Sequence, residues 1–417
     1  MHHRPVTQTL PSTRTTDFEI RAVEDDERRS AYTVFMEALH EEPPDDEKWT
    51  LAARAYEPGR AYGAFAGDTL VGATMSLTSD ITVPGGGVVP MAAVTGVGVR
   101  TDHRRRGVLT GLMRRQLADL AAAGEVFATL HASEPTIYGR FGYGLGTLAR
   151  VVRVKPPRAR MRADVPTAGT TRLLTKDEAL TLLPGAYQRL RPRRAGVMGR
   201  APSWWAMCYE YRLTHMRLRV AAHYGPDGEI DGMVGFRSVE IPSDDPRVNA
   251  GVVVLDFVGA NQAVENDLWR FLLGIDLVDD VTVYMRPLDE PLEAMLENAH
   301  AVRCEWDEEL WVRVVDVPAA LAARTYGAAD PVVVEVVDPI LPANSGRYLV
   351  GPHGADRTDA PAALTLGVEA LGMVYFGAWR PSKLAGIGRL AVHDPAALPA
   401  ADRLFATDEP SWCGSLF

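Results

Sequence analysis

Residues Met91 to Gly124, MAAVTGVGVRTDHRRRGVLTGLMRRQLADLAAAG, carry the pattern that most restricts how this chain can fold. Met91 to Val99 is small and β-branched, as a buried strand requires, and the later residues set Leu109, Leu112, Met113, Leu117 and Leu120 on one helical face. The spacing predicts strand, turn, helix. At the turn stand Arg104-Arg105-Arg106-Gly107, so three guanidinium groups precede a helix start with free backbone N–H groups and a positive dipole end. Such a start receives phosphate through main-chain donors, and a glycine there lets the ligand reach the backbone.

Val126 to Leu130 is a short apolar strand, expected parallel to Val94 to Val99 because strand, helix, strand is a crossover unit. Beyond it come His131-Ala132-Ser133-Glu134 and the aromatic, glycine-rich run Ile137-Tyr138-Gly139-Arg140-Phe141-Gly142-Tyr143-Gly144. Ser133 reads equally as a helix cap or a ligand contact.

On these residues the chain resembles the GNAT superfamily of N-acetyltransferases, whose coenzyme A loop runs Gln/Arg-x-x-Gly-x-Gly/Ala after a bulged, valine-rich strand. Arg104-x-x-Gly107-x-Leu109 departs at Leu109, where a small residue is usual. Within that superfamily the chain resembles the Eis family of enhanced-intracellular-survival acetyltransferases, on its His-Arg-Arg-Arg-Gly loop, its Ser-Glu and Tyr-Gly-Arg-Phe-Gly-Tyr run, and its ending from Phe405 to Phe417. The resemblance implies tandem GNAT domains of α/β (α+β) class, the second degenerate, followed by a sterol-carrier-like α+β domain. It implies acetyl-CoA as co-substrate. Contacts are expected from Val97, Gly98 and Val99, from the loop and helix start at Arg104, Arg105, Arg106, Gly107, Val108, Leu109 and Thr110, and from Ser133 and Glu134. A homo-hexamer, arranged as a trimer of dimers, is implied as well.

Composition narrows the partners. At 417 residues two or three domains are expected. A net charge of −10 argues against a nucleic-acid surface and suits a cationic substrate. Cys208, Cys304 and Cys413 have neither metal-ligand spacing nor an even count, as expected for a metal-free protein of the reducing cytoplasm. No apolar run has the length of a membrane span.

In chain order, residues 1–16 read as a loose polar leader. A first unit over 17–150 opens with a strand at Phe18 to Val23 and a helix carrying Tyr32, Phe35 and Leu39, then runs into an acidic, proline-broken connection from His40 to Glu47, read as a solvated charge run. A second unit over 151–315 repeats the order, with strands at Arg217 to Tyr224, Met233 to Val239, Gly251 to Gly259 and Val281 to Met285 and a helix at Gln262 to Ile275. It lacks an arginine loop, and Asp256, Glu265 and Asp267 would repel a pyrophosphate. The third unit, 316–417, is read as a scaffold rather than a lipid carrier.

The chemistry expected is acyl transfer from a thioester to an amine, which needs a neutral amine and an acid for the leaving thiolate. Tyr138, protonated at neutral pH, is the candidate acid, and its competing role is the aromatic plug of a tight turn; Arg140 is read as part of the turn. The resemblance assigns the base to the terminal carboxylate of Phe417, in an ending from Pro410 to Phe417 whose aromatic side chains suit anchoring in an apolar pocket. Leu416 stands where the family pattern has an acidic residue. Aminoglycoside-like amines, polyamines and protein lysine remain equal as acceptors, and a non-catalytic acetyl-CoA sensor or lipid carrier stays as the alternative.

Overall fold

The structure, a computed structural model, describes residues 18–241 and 250–417; the leader expected over 1–16 lies outside them. The chain first supplies β1 (Glu19–Ala22), β2 (Ala61–Ala66), β3 (Thr69–Thr82), β4 (Val88–Val99), β5 (Phe127–Leu130) and the short β6 (Gly144–Leu145). Next come β7 (Leu148–Val154), β8 (Thr170–Leu174), β9 (Arg219–Tyr224), β10 (Ile230–Glu240), β11 (Ala250–Gly259), β12 (Asp280–Arg286) and β13 (Val302–Glu308). Then follow β14 (Trp311–Val314), β15 (Val332–Val337), β16 (Gly346–Gly351), β17 (Gly354–Arg357), β18 (Leu364–Gly367) and β19 (Leu390–Val392).

They form three sheets, ordered β1-β2-β3-β4-β5-β14-β6, β13-β7-β12-β11-β10-β9-β8 and β17-β16-β15-β18-β19. The first two repeat one plan, as the sequence order predicts. They also trade strands. β14 leaves the second unit to pair with β5 (Trp311 opposite Leu130, Val314 opposite Phe127), while β7 turns away from the first sheet and sits between β12 and β13. β5 is buried along its whole length, so a partner on each side satisfies backbone groups that no water could reach.

Four helices matter most: α1 (Arg28–Ala38), α2 (Asp46–Ala53), α3 (Val108–Ala122) and α4 (Lys176–Leu190). α3 buries Leu112, Met113, Leu117 and Leu120 of the expected face, with Val108 in place of Leu109, which is only half-buried. The acidic residues leading into α2 are all exposed, as a solvated run should be, and two of them also serve local structure. The Asp45 carboxylate caps α2 by accepting the Lys48 N–H at 2.8 Å, and Asp46 pairs with Arg29 at 2.7 Å.

The third sheet is backed by the helix Val368–Tyr375, which packs on β14 and β6 of the first. Its core is filled by Tyr348, Tyr375 and Phe376, each at most 1% exposed. A fully buried ion pair fastens the two units: Arg313 donates from β14 to both Asp338 oxygens, at 2.8 and 2.7 Å. Removing either partner would strand a charge in the interior, a cost of about 3–5 kcal/mol. No helix is long and apolar enough to cross a membrane among the described residues.

Candidate active site

Arg104, Arg105 and Arg106 are all exposed, on the loop that enters α3. Arg105 has φ 61° and Gly107 φ 91°, so the chain makes two left-handed steps immediately before the helix. A Cβ at Gly107 would meet nothing of the protein within 4 Å, so the space beside this backbone is free. Successive N–H groups there, three guanidinium groups and the dipole of a 15-residue helix all favour an anion.

Beside this loop the strands part. β4 and β5 pair in parallel only from Met91–Phe127 to Ala93–Thr129, although β4 runs on to Val99. β4 and β5 are parallel, as expected, and Val94 to Val99 has parted from β5; that stretch of β4 keeps only its β3 partner, across a bulge at Ala73/Met75 where Gly96 takes φ 64°. Val97, Gly98 and Val99 line this parted edge. Gly98 has a second constraint, because a Cβ there would lie 2.8 Å from the Phe35 backbone of α1.

The second sheet diverges likewise, with β11 and β12 paired from Gly251–Asp280 to Val254–Val283, but its gap is occupied. The wholly buried Arg286 donates to the Phe257 carbonyl at 3.2 Å, to Glu290 at 2.6 Å and to Glu265 at 2.7 Å, with its guanidinium 4.0 Å from the Phe257 ring centre. Asp256 is consumed by Arg200, and Asp267 by Arg270 at 3.1 Å. The three acids read as repelling a phosphate are thus neutralised internally; an arginine fills the cleft instead.

Past β5, Ser133 and Glu134 are exposed, and Glu134 accepts the Thr136 hydroxyl at 2.6 Å. The one-turn helix that follows is capped at Glu134 without a side-chain bond, so Ser133 is free of the capping role. Tyr138 is 7% exposed and lies edge-on to Tyr143 with ring centres 5.9 Å apart. Burial pushes its phenol up to about 12, so it stays protonated at neutral pH. Arg140 stacks over Phe141 at 4.8 Å, in keeping with a turn role. Gly142 and Gly144 lie where a Cβ would strike Val368 and the Glu369 backbone, so the glycines of this run let the third domain approach.

The chain end packs against the segment that follows β5. From Ser411 to Ser415 the tail is buried between the first two units. Trp412 donates its indole N–H to the Met285 carbonyl at 2.6 Å, and the indole of Trp204 donates to the Leu416 carbonyl at 3.1 Å. Trp204 is held just ahead of a π-helical segment, Trp205–Glu210, a rare element often found beside functional residues. His131, directly after β5, bonds through Nε2 to the Ser415 carbonyl at 2.9 Å. A carbonyl only accepts, so Nε2 carries the proton, and burial holds this imidazole down to about 4. The Phe417 ring stands edge-on to His131, centres 4.8 Å apart, so it lies against the connection that leaves β5 and leads on to Tyr138.

Two tail partners escaped sequence reading. Glu309, inside the acidic Asp307-Glu308-Glu309, looks like a solvated run but is buried, and burial pushes its carboxyl up to about 7 against hydrogen bonds from the tail. Arg200 is a buried cation among Tyr187, Trp204 and Trp205; its one sequence signal is the neighbouring pair of tryptophans.

Comparison with known proteins identifies the domains. Residues 19–146 and 196–314 each match an acetyltransferase (GNAT) domain family, and residues 317–414 match a sterol carrier protein domain. An uncharacterized N-acetyltransferase of Streptomyces coelicolor is 38% identical over 94% of this chain and 98% of its own length. The N-acetyltransferase Eis of Mycobacterium tuberculosis is 33% identical over 84% of this chain and 86% of its own. The crystal structure of Eis1 from Mycobacterium abscessus superposes with a TM-score of 0.84 at 36% identity, over 96% of this chain and 100% of that one. With two GNAT domains, a sterol-carrier domain and this degree of identity along nearly the whole chain, the protein belongs to the Eis family of GNAT N-acetyltransferases.

Proposed function

We propose that the protein moves an acetyl group from acetyl-CoA to the amino group of a cationic acceptor, an aminoglycoside-like amine, a polyamine or a lysine. The observation that carries this reading is the open edge of β4 beside an exposed run of arginines and a glycine with space over its backbone. Arg104, Arg105, Arg106 and the N–H groups of Gly107, Val108, Leu109 and Thr110 hold the phosphates. Val97, Gly98 and Val99 offer backbone groups to the extended arm, and Ser133 and Glu134 line its far side. When bound, the thioester supplies the acyl carbon.

At that carbon a C–N bond forms and the C–S bond breaks. The Phe417 carboxylate takes the proton the amine loses, directly or through a water, and the Tyr138 phenol gives one to the departing sulfur. Burial makes Tyr138 a weaker acid than free tyrosine, and the same apolar surroundings raise the basicity of a thiolate leaving beside it, so the two stay matched. Neutral His131 holds the tail without adding a positive charge that would repel the acceptor. The third domain serves as a scaffold, for its interior is packed with aromatic side chains.

Thiol release from acetyl-CoA across a panel of amines tests the assignment, with an Arg104→Ala/Arg105→Ala double variant as control. Turnover with some amines and its loss in the control are expected; no thiol release with any amine, alongside tight acetyl-CoA binding, would favour a sensor. The hexamer implied by the resemblance is proposed to use edge strand β13, where Trp306 is 67% exposed; sedimentation of a Trp306→Glu variant tests it.

A further inference from the structure

We infer that Glu309 is a positioning residue: its carboxylate clamps the tail so that the Phe417 carboxylate faces the acyl site. The inference rests on the proposed role of that terminus. Glu309 accepts the Cys413 N–H at 2.9 Å on one oxygen and the Gly414 N–H at 2.8 Å on the other, and the Thr147 hydroxyl donates a third bond at 2.8 Å. A carboxylate spanning consecutive amides fixes both the height and the direction of the peptide, as an anion does in a backbone nest. Between the clamped Gly414 and the terminal Phe417 stand only Ser415 and Leu416, so little slack is left.

Each neighbour reinforces the grip from a different part of the chain. Arg200, itself fixed by Asp256 at 2.7 and 2.9 Å, donates to the Ser415 hydroxyl at 3.0 and 3.1 Å. Gly414 takes φ 66° and lies so close to the Trp412 ring that a Cβ would strike it, so only glycine fits this turn. A glutamate buried in an interface would be costly unless its bonds were needed. Held tail geometry is worth that cost, because misplacing a reacting group by about 1 Å can lower turnover on the order of 100-fold.

The test uses the full chain with Glu309→Gln, whose single carbonyl oxygen cannot serve both amides. Two readouts are taken: steady-state kinetics, and release of Phe417 by a carboxypeptidase, which can digest only a tail that has left its socket. Turnover is expected to fall roughly 10- to 100-fold with KM for acetyl-CoA within about twofold, while Phe417 release accelerates about tenfold or more. Ser415→Ala, a gentler change that removes the Arg200 bonds, should move both readouts the same way by a few-fold, and it carries the test if Glu309→Gln does not fold. Phe417 release at the parent rate in both variants overturns the clamp. A chain extended by one glycine separates the two ideas: if it keeps parent turnover while Glu309→Gln still loosens the tail, the base assignment fails and the clamp stands.

Discussion

Arg286 reaches the carbonyl of Phe257 from inside the cleft that its counterpart strands in the first domain leave open. One chain therefore holds two copies of the same parted-strand architecture, one open and one plugged by a guanidinium with two carboxylates. Coenzyme A should bind once per chain. Titration calorimetry is expected to give a stoichiometry of one, and a value of two would contradict the plug. Arg286→Ala should not create a second site; it should instead destabilise the protein by about 3–5 kcal/mol, since the buried Glu290 would be left without its cation.

Phosphate capture can be tested on the loop alone. Arg104, Arg105 and Arg106 are exposed, so substituting them should leave stability within about 0.5 kcal/mol of the parent. Each charge-assisted contact contributes about 1.5–3 kcal/mol, so Arg105→Ala should weaken acetyl-CoA binding about tenfold or more. Unchanged affinity would move the phosphates elsewhere.

Tyr138→Phe keeps the ring that packs against Tyr143 and removes only the hydroxyl. Turnover should fall about 10²- to 10⁴-fold, with acetyl-CoA affinity nearly unchanged, because the lost proton matters in the transition state. Small, equal effects on both would return the residue to the aromatic plug.

His131 and Glu309 sit against the same tail and respond to pH in opposite senses. His131 titrates near 4 when folded against about 6.5 when free, so the unfolded chain binds more protons between those values; its contribution to stability is present above about 6.5 and is lost as pH falls toward 4. Glu309 titrates near 7 when folded against about 4.3 when free, so the folded chain binds the extra proton and stability declines as pH rises from about 4.3 to 7. Between about 4.3 and 6.5 the two slopes oppose. Denaturant titrations of His131→Gln across this range should show stability relative to the parent improving as pH falls, at most about 1.4 kcal/mol per pH unit, and Glu309→Gln should improve relative to the parent as pH rises. Parallel curves for parent and variants would mean that neither group is buried as described.

Much of the fold was legible because it rests on local patterns. The strand, loop and helix from Met91 to Ala122 follow from β-branched residues, one glycine and an apolar repeat at helical spacing. The second domain's loss of an anion loop was legible too, as a missing arginine. What filled its place was not, since Arg286 lies a whole helix and strand beyond the loop at Asn261 and Gln262 and enters the gap only through the pairing of β11 with β12. Glu309 and β14 were hidden for the same reason. Whether an acidic triplet is solvated, or a four-residue apolar strand crosses to another sheet, is settled by what long-range packing leaves uncovered, and no local signal records it.

The strand exchange also sets an order of events during synthesis. When Arg150 has left the ribosome the first sheet has β1 to β5, yet the far edge of β5 stays bare until Trp311 to Val314 arrive, after the whole second unit has been made. At about 5–20 residues per second that is an interval on the order of ten seconds or more, with an apolar strand edge exposed.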